Sequence, residues 1–141
     1  MKLLEDKILA EGIAESENIL KVDSFINHQV DPELMKKMGK DIAEHYRKAL
    51  DIKVVGITGS VGKTSTKEMI ASVLEQKYHV LKTAGNFNNE IGLPLTIFNI
   101  RDEHEIAVLE MGINHFGEMH RLAKMARPDI CVITNIGLCH L

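Results

Sequence analysis

The sequence has no Trp, and only four Phe and two Tyr among its 141 residues. Flat side chains on which bases could stack are therefore scarce. Seventeen Lys and Arg against 20 Asp and Glu give a formal net charge of -3, with both signs mixed along the chain. Neither nucleic acid nor an anionic membrane surface is expected as a partner. The two cysteines, Cys131 and Cys139, do not form a C-x-x-C pair. In their apolar stretch a buried free thiol is expected at both, rather than a metal site completed by His140. No apolar run approaches the ~20 residues of a membrane span. The opening MKLLEDKILAEG breaks its apolar residues with charge every two or three positions, unlike a signal peptide. The cytoplasm is the default compartment. Proline is limited to three residues, and there is no Pro-, Gly- or Ser-rich linker, repeat or low-complexity tract.

What remains is the composition of a soluble globular domain, 45% hydrophobic and 26% charged. The length is that of one ordinary domain, so an enzyme requiring several cannot be complete in it. Leu3, Leu4, Ile8 and Leu9 recur at helical spacing and Gly12 is a stop. NILKVDSF reads as a strand or an extended segment. Asp31-Pro32 then opens a helix to about Leu50, with Leu34, Met35, Met38, Ile42 and Tyr46 on its apolar side.

From residue 52 short apolar runs alternate with helical patterns. IKVVGIT, YHVLKT, EIAVLE and DICVITNI are the runs. Helices are expected from Thr64 to Gln76, over a short stretch from Pro94, and from about Gly117 to Met125. This rhythm predicts an α/β fold: a P-loop-type parallel sheet with crossover helices, truncated, and preceded by a mostly helical N-terminal segment. TAGNFNNEIGL, residues 83–93, reads as a polar loop at the carboxyl edge of a strand, where such sheets bind ligands.

GITGSVGKTS, residues 56–65, joins an apolar strand to a helix predicted to turn Met69, Ile70, Val73 and Leu74 to one side. Gly59 and Gly62 allow the backbone to curl with its N–H groups inward, and the helix N-terminus adds partial positive charge. Phosphate is the natural occupant. Lys63 supplies a charge for the outer phosphates and Thr64 a hydroxyl for a magnesium ion bridging them. In the pattern G-x-x-x-x-G-K-[ST] the first glycine falls on Ile57, so only GSVGKT is present. Glu110 closes the run IAVLE, so its carboxylate should emerge beside this loop, where a metal-binding acid is needed. His115 and His120 have the wrong spacing for one helix face and read as surface residues. Met111, Met119 and Met125 read as packing.

GITGSVGKTSTKEMI resembles the ATP-binding segment of the Mur ligases, whose loop is this shortened form. The resemblance continues through TAGNFNNEIGLPLT, LEMGINHFGEMHRLA and RPDICVITNIGLCHL. Within that family it looks closest to the branch that adds D-alanyl-D-alanine to a UDP-muramoyl tripeptide. The resemblance implies ATP-dependent amide bond formation through an acyl phosphate, in peptidoglycan precursor synthesis, with ATP and Mg2+ as cofactors. It implies nucleotide contacts from Thr58, Gly59, Ser60, Val61, Gly62, Lys63, Thr64 and Ser65, with Asn88, Asn89 and Asn135 beside them. Thr134 would line the same edge. Lys63, Glu110 and His140 would be catalytic, and Thr64, Glu110 and His140 would hold metal. The chain ends just after the histidine motif. A fragment limited to binding ATP and magnesium, and inactive alone, is the expectation.

KLLEDKILAEGIAESENILKVDSFINHQVDPELMKKMGKDIAEHY resembles instead the amino-terminal segment of xanthine phosphoribosyltransferase, with Leu20 and Asn27 at positions where that family contacts the purine. No Asp-Asp pair occurs in the chain, so the diphosphate-gripping loop of that family is missing. The expected organisation is residues 1–46 as this segment and 47–141 as a partial ATP-binding domain, with the seam between Gly39 and Arg47. A transferase remnant, or a fusion or truncation product without catalysis, are the alternatives.

Overall fold

Four short apolar runs, each followed or preceded by a helical segment, can pair only in parallel, because every connection must travel back along the sheet. The computed structural model has this arrangement and describes residues 32–137, with side chains from residue 36. The helix expected over residues 1–12, the NILKVDSF segment, Leu20, Asn27, Cys139 and His140 lie outside the described residues. In chain order the elements are α1 (Pro32–Ala49), β1 (Lys53–Thr58), α2 (Lys63–Leu74), β2 (Val80–Lys82), α3 (Gly92–Phe98), β3 (Ile106–Glu110), α4 (Glu118–Ala126) and β4 (Ile130–Ile133). Each element predicted from residue 31 onward is present, with ends displaced by one or two residues at most places.

All strands are parallel, in the order β2-β3-β1-β4. The central pair, β1 and β3, is covered on both faces, which is why both runs are continuously apolar rather than alternating. Val54, Ala107 and Leu109 face α1, α3 and α4, packing with Leu93, Ile97, Ile100, Leu122 and Met125. Val55, Ile57 and Val108 face α2. The connection leaving β1 crosses toward β2, while that leaving β3 crosses to β4 on the other side. Between their carboxyl ends lies the topological switch point, where a crevice forms.

Two expectations change here. The side of α2 that meets the sheet is Lys67, Ile70, Ala71 and Leu74, spaced three and four apart, whereas Met69 and Val73 are 70% and 72% exposed. Cys131 is exposed rather than buried, because β4 is an edge strand on which Ile130 and Ile133 are also exposed. Met111 and Met125 are core residues and Met119 packs against them, as expected.

The seam expected between Gly39 and Arg47 falls inside one continuous helix, α1. Met38 and Ala43 are buried, and Lys36 pairs with Glu90 at 2.5 Å. Tyr46 donates to the Ile100 carbonyl at 2.9 Å and meets Phe98 edge-on. Arg47 is the main tie. Its buried guanidinium donates to the carbonyls of Ala126, Arg127 and Ile52, at 2.9, 3.2 and 3.4 Å. It thereby satisfies the carboxyl end of α4, where Arg127 takes a left-handed φ of 44°, and the entry to β1. Among the described residues no helix is long and apolar enough to cross a membrane.

Removing that guanidinium strands several carbonyls. Arg47→Ala is expected to lower the unfolding free energy by about 2–4 kcal/mol, with Arg47→Lys recovering only part. Urea titration of the three proteins reads this; an Ala variant with an unchanged midpoint would contradict it.

Candidate phosphate-binding site

The loop leaving β1 is shaped by two glycines in conformations that L side chains rarely adopt. Gly59 has φ 132°, and a Cβ there would lie 2.1 Å from Thr134 Oγ1. Gly62 has φ 86° and precedes the first turn of α2. The first half of the loop is clamped by the chain that follows β4. Ser60 N–H donates to the Asn135 carbonyl at 3.0 Å and Val61 N–H to Asn135 Oδ1 at 2.9 Å. Thr134 Oγ1 donates to the Val61 carbonyl at 2.6 Å, and Ser60 Oγ to that of Gly137 at 2.8 Å. Asn135 thus occupies two of the donors that the sequence assigned to an anion.

The second half of the loop is different. Among the described residues, the N–H groups of Gly62, Lys63, Thr64 and Ser65 have no acceptor; the first intrahelical bond runs from Thr66 N–H to the Gly62 carbonyl. These are the orphan donors of a 12-residue helix, and its dipole reinforces them. Lys63 Nζ folds back across the loop to donate to the Gly59 carbonyl at 2.8 Å. An entering phosphate would offer that ammonium a charged acceptor in place of a neutral one.

Opposite the loop stands Glu110, 2% exposed. Its Oε1 accepts from Thr64 Oγ1 at 3.2 Å and from Asn88 Nδ2 at 2.8 Å. Its backbone N–H donates to Thr83 Oγ1 at 3.0 Å. Oε2 is buried without a hydrogen bond and faces Lys67 Nζ at 3.7 Å. The donor set suits magnesium: octahedral bonds of 2.0–2.1 Å put adjacent oxygens about 2.9 Å apart, close to the Thr64–Glu110 separation. Both donors are hard oxygens, and one carboxylate plus phosphate oxygens is a usual magnesium environment. Among the described residues no three of His, Cys, Asp and Glu converge as a preformed metal cluster.

The remaining predicted positions divide. Asn88 joins Glu110, and its carbonyl accepts the Gly112 N–H at 2.7 Å. Asn89 turns its Oδ1 to the N–H groups of Ile91 and Gly92, at 3.0 and 2.9 Å, and so shapes the entry to α3. Thr58 Oγ1 donates to the Met111 carbonyl at 2.9 Å, holding the ends of β1 and β3 together. Ser65 is exposed beside the loop. His115 and His120 are both exposed. His140 lies outside the described residues.

Lys67 and Thr83 were missed. Lys67 is 1% exposed and donates to the Thr83 carbonyl at 2.7 Å. The available signal was a lysine three and four positions from Ile70 and Ala71, on the side the core required. The rim is a further omission: Glu90 is gripped by Arg121 and Lys36. Glu118 Oε2 accepts the N–H groups of Asn114 and His115, at 2.6 and 3.0 Å, in the turn before α4.

Comparison with known proteins gives a consistent picture. The profile of the Mur ligase middle domain matches residues 57–141. The UDP-N-acetylmuramoyl-tripeptide--D-alanyl-D-alanine ligase of Bacillus subtilis (strain 168) is 52% identical over 102 residues, 72% of this chain and 22% of that protein. The ligase of the same name from Escherichia coli (strain K12) is 42% identical over 101 residues, again 72% and 22%. A crystal structure of MurF from Acinetobacter baumannii superposes with TM-score 0.73 and 39% identity, covering 75% of this chain and 24% of that one. MurF ligase from Thermotoga maritima in complex with ADP gives TM-score 0.67 and 42% identity, covering 72% and 24%. The chain therefore spans less than a quarter of the length of these relatives.

The rim carboxylates are expected to make the fold acid-sensitive. The Arg121 guanidinium, then Lys36, hold Glu90 below the usual carboxylate range, and the Asn114 N–H does so for Glu118. Folded values below unfolded ones mean that this stabilisation is present above the unfolded pKa of about 4.3 and lost as pH falls toward the folded values. The melting temperature should be flat above about pH 5 and fall below about pH 4. Glu90→Gln/Glu118→Gln should start lower at pH 7 and lose less on acidification; parallel curves would contradict this.

Proposed function

Since the chain belongs to the Mur ligase family, matched through its middle domain, we propose that residues 47–141 are part of the central ATP-binding domain of a ligase of peptidoglycan precursor synthesis. The reaction proposed for the whole enzyme is ATP-dependent addition of D-alanyl-D-alanine to a UDP-muramoyl tripeptide, in the cytoplasm. The substrate carboxylate takes the γ-phosphoryl group, and the dipeptide amine then displaces phosphate. This chain's share is the grip on ATP and magnesium. Residues 1–46 are proposed as an N-terminal segment of other descent, of which the described part, from residue 32, runs unbroken into α1 and packs with the domain.

The observation that carries the proposal is the meeting of three features in one crevice: N–H groups from Gly62 to Ser65 that are unpaired among the described residues, the Lys63 ammonium, and Glu110 Oε1 at 3.2 Å from Thr64 Oγ1. The amides and helix dipole hold phosphate oxygens, and Lys63 moves from the Gly59 carbonyl to the outer phosphates. Thr64 and Glu110 would hold magnesium, which when bound neutralises charge developing on the phosphoryl oxygens. Asn88 steadies Glu110 and carries the loop that borders the transferring phosphoryl group. Asn135 and Thr134 fix Ser60 and Val61, so the loop is organised before nucleotide arrives; less reorganisation is then required on binding. His140 is assigned to a second metal ion near the acyl phosphate.

Isothermal titration of the chain with ATP and Mg2+ tests this. Binding should be measurable, and Lys63→Ala should weaken it about tenfold or more, the loss of one charge-assisted contact. Equal heats for the two proteins would end the proposal.

A further inference from the structure

A lysine 1% exposed on the core side of a helix is costly unless its charge is matched, and an apolar residue of similar volume would fill the same space. Lys67 is matched with care. Its Nζ donates to the Thr83 carbonyl at 2.7 Å, lies 3.2 Å from Glu68 Oε1, and stands 3.7 Å from Glu110 Oε2. These partners belong to three places: the residue after β2, α2 itself, and the end of β3.

We propose that Lys67 is a positioning residue that presents Glu110 Oε1 to the magnesium side of the crevice and holds Thr64 at the matching distance. The proposal rests on the nucleotide-binding reading above and adds a residue to it. Lys67 lies three positions after Thr64, so both project from the same side of α2. One tie through Nζ therefore holds α2, one turn beyond Thr64, against the ends of β2 and β3. Thr83 completes the brace: its carbonyl accepts from Lys67 while its hydroxyl accepts the Glu110 N–H.

The carboxylate is then addressed from two sides. Lys67 attracts Oε2 inward without a hydrogen bond, and Oε2 has no other polar partner among the described residues. Oε1 is left to Thr64 and Asn88. Lys67 offsets the buried charge from behind, leaving the side facing the loop for a cation. Among the described residues its Nζ makes no hydrogen bond to the loop or to the Lys63 side chain, so nucleotide phosphates should still be held without it.

The test is calorimetric titration of ADP into the chain, with EDTA and with Mg2+, for wild type, Lys63→Ala and Lys67→Met. Lys63→Ala should lose affinity in both conditions. Lys67→Met should bind ADP in EDTA within about twofold of wild type but lose most of the tightening that Mg2+ confers. A Met variant that keeps or increases that tightening overturns the positioning role and leaves the nucleotide reading intact. A wild-type chain that binds no ADP in either condition overturns both. If Lys67→Met does not give a native far-UV spectrum, the wild type decides. The 15Nζ signal of Lys67 should shift when Mg2+ is added to the ADP complex and not when K+ is added; no shift with Mg2+ overturns the proposal.

Discussion

One buried carboxylate, at the tip of a central strand, must share a small volume with the first turn of the helix that leaves the neighbouring strand. The Glu110–Thr64 contact at 3.2 Å expresses that constraint, and most of the fold serves it. The parallel pairing of β1 with β3 places Ile57 opposite Glu110, so the two strands end together. The glycines at 59 and 62 bend the chain sharply enough to start α2 there. The clamp from Thr134 and Asn135 requires β4 on the far side of β1, as the sheet order provides. A carboxylate so placed would be poorly tolerated in an apolar core alone. Its tolerance comes from Thr64 and Lys67 on α2 and from Thr83 and Asn88 on the loop after β2.

The same logic explains how the N-terminal helix is attached. α1 packs against α3 and α4, with Ala43 buried and Tyr46 against Phe98, and polar ties add to that packing. Arg47 serves the open end of α4, and Lys36 reaches Glu90 on the loop that also carries Asn88. The seam expected between Gly39 and Arg47 thus falls within one helix, whose last turn is tied to the end of α4 and the entry to β1. The ion pair at Lys36 extends the contact into the earlier part of that helix.

Much of this was legible in the sequence, and the reason is local. Runs such as VVGIT and IAVLE are short, uniformly apolar, rich in β-branched residues and bounded by turn or helix signals, as covered parallel strands are, and GSVGKT carries its turn geometry in its glycines. Glu110 could be placed because a strand's last residue has only one edge to emerge from. Other features depended on distant partners. Hydrophobicity alone turned Met69 and Val73 inward; the structure turns Lys67 inward because Thr83, 16 residues on, and Glu110 receive its charge. Cys131 looked buried because its neighbours are apolar, but β4 lies at the sheet's edge, and strand order is not written in any single strand. Asn89 resembled Asn88 in letters and differs in work, since the turn into α3 claims its side-chain oxygen.

The central claim is most directly tested by a crystal structure of the chain with ADP and Mn2+ in place of Mg2+. The account predicts an anomalous peak within metal–oxygen bonding distance of Thr64 Oγ1 and Glu110 Oε1, with the diphosphate on the N–H groups from Gly62 to Ser65. A metal ion bound away from Glu110, or a diphosphate that leaves those amides empty, would contradict it.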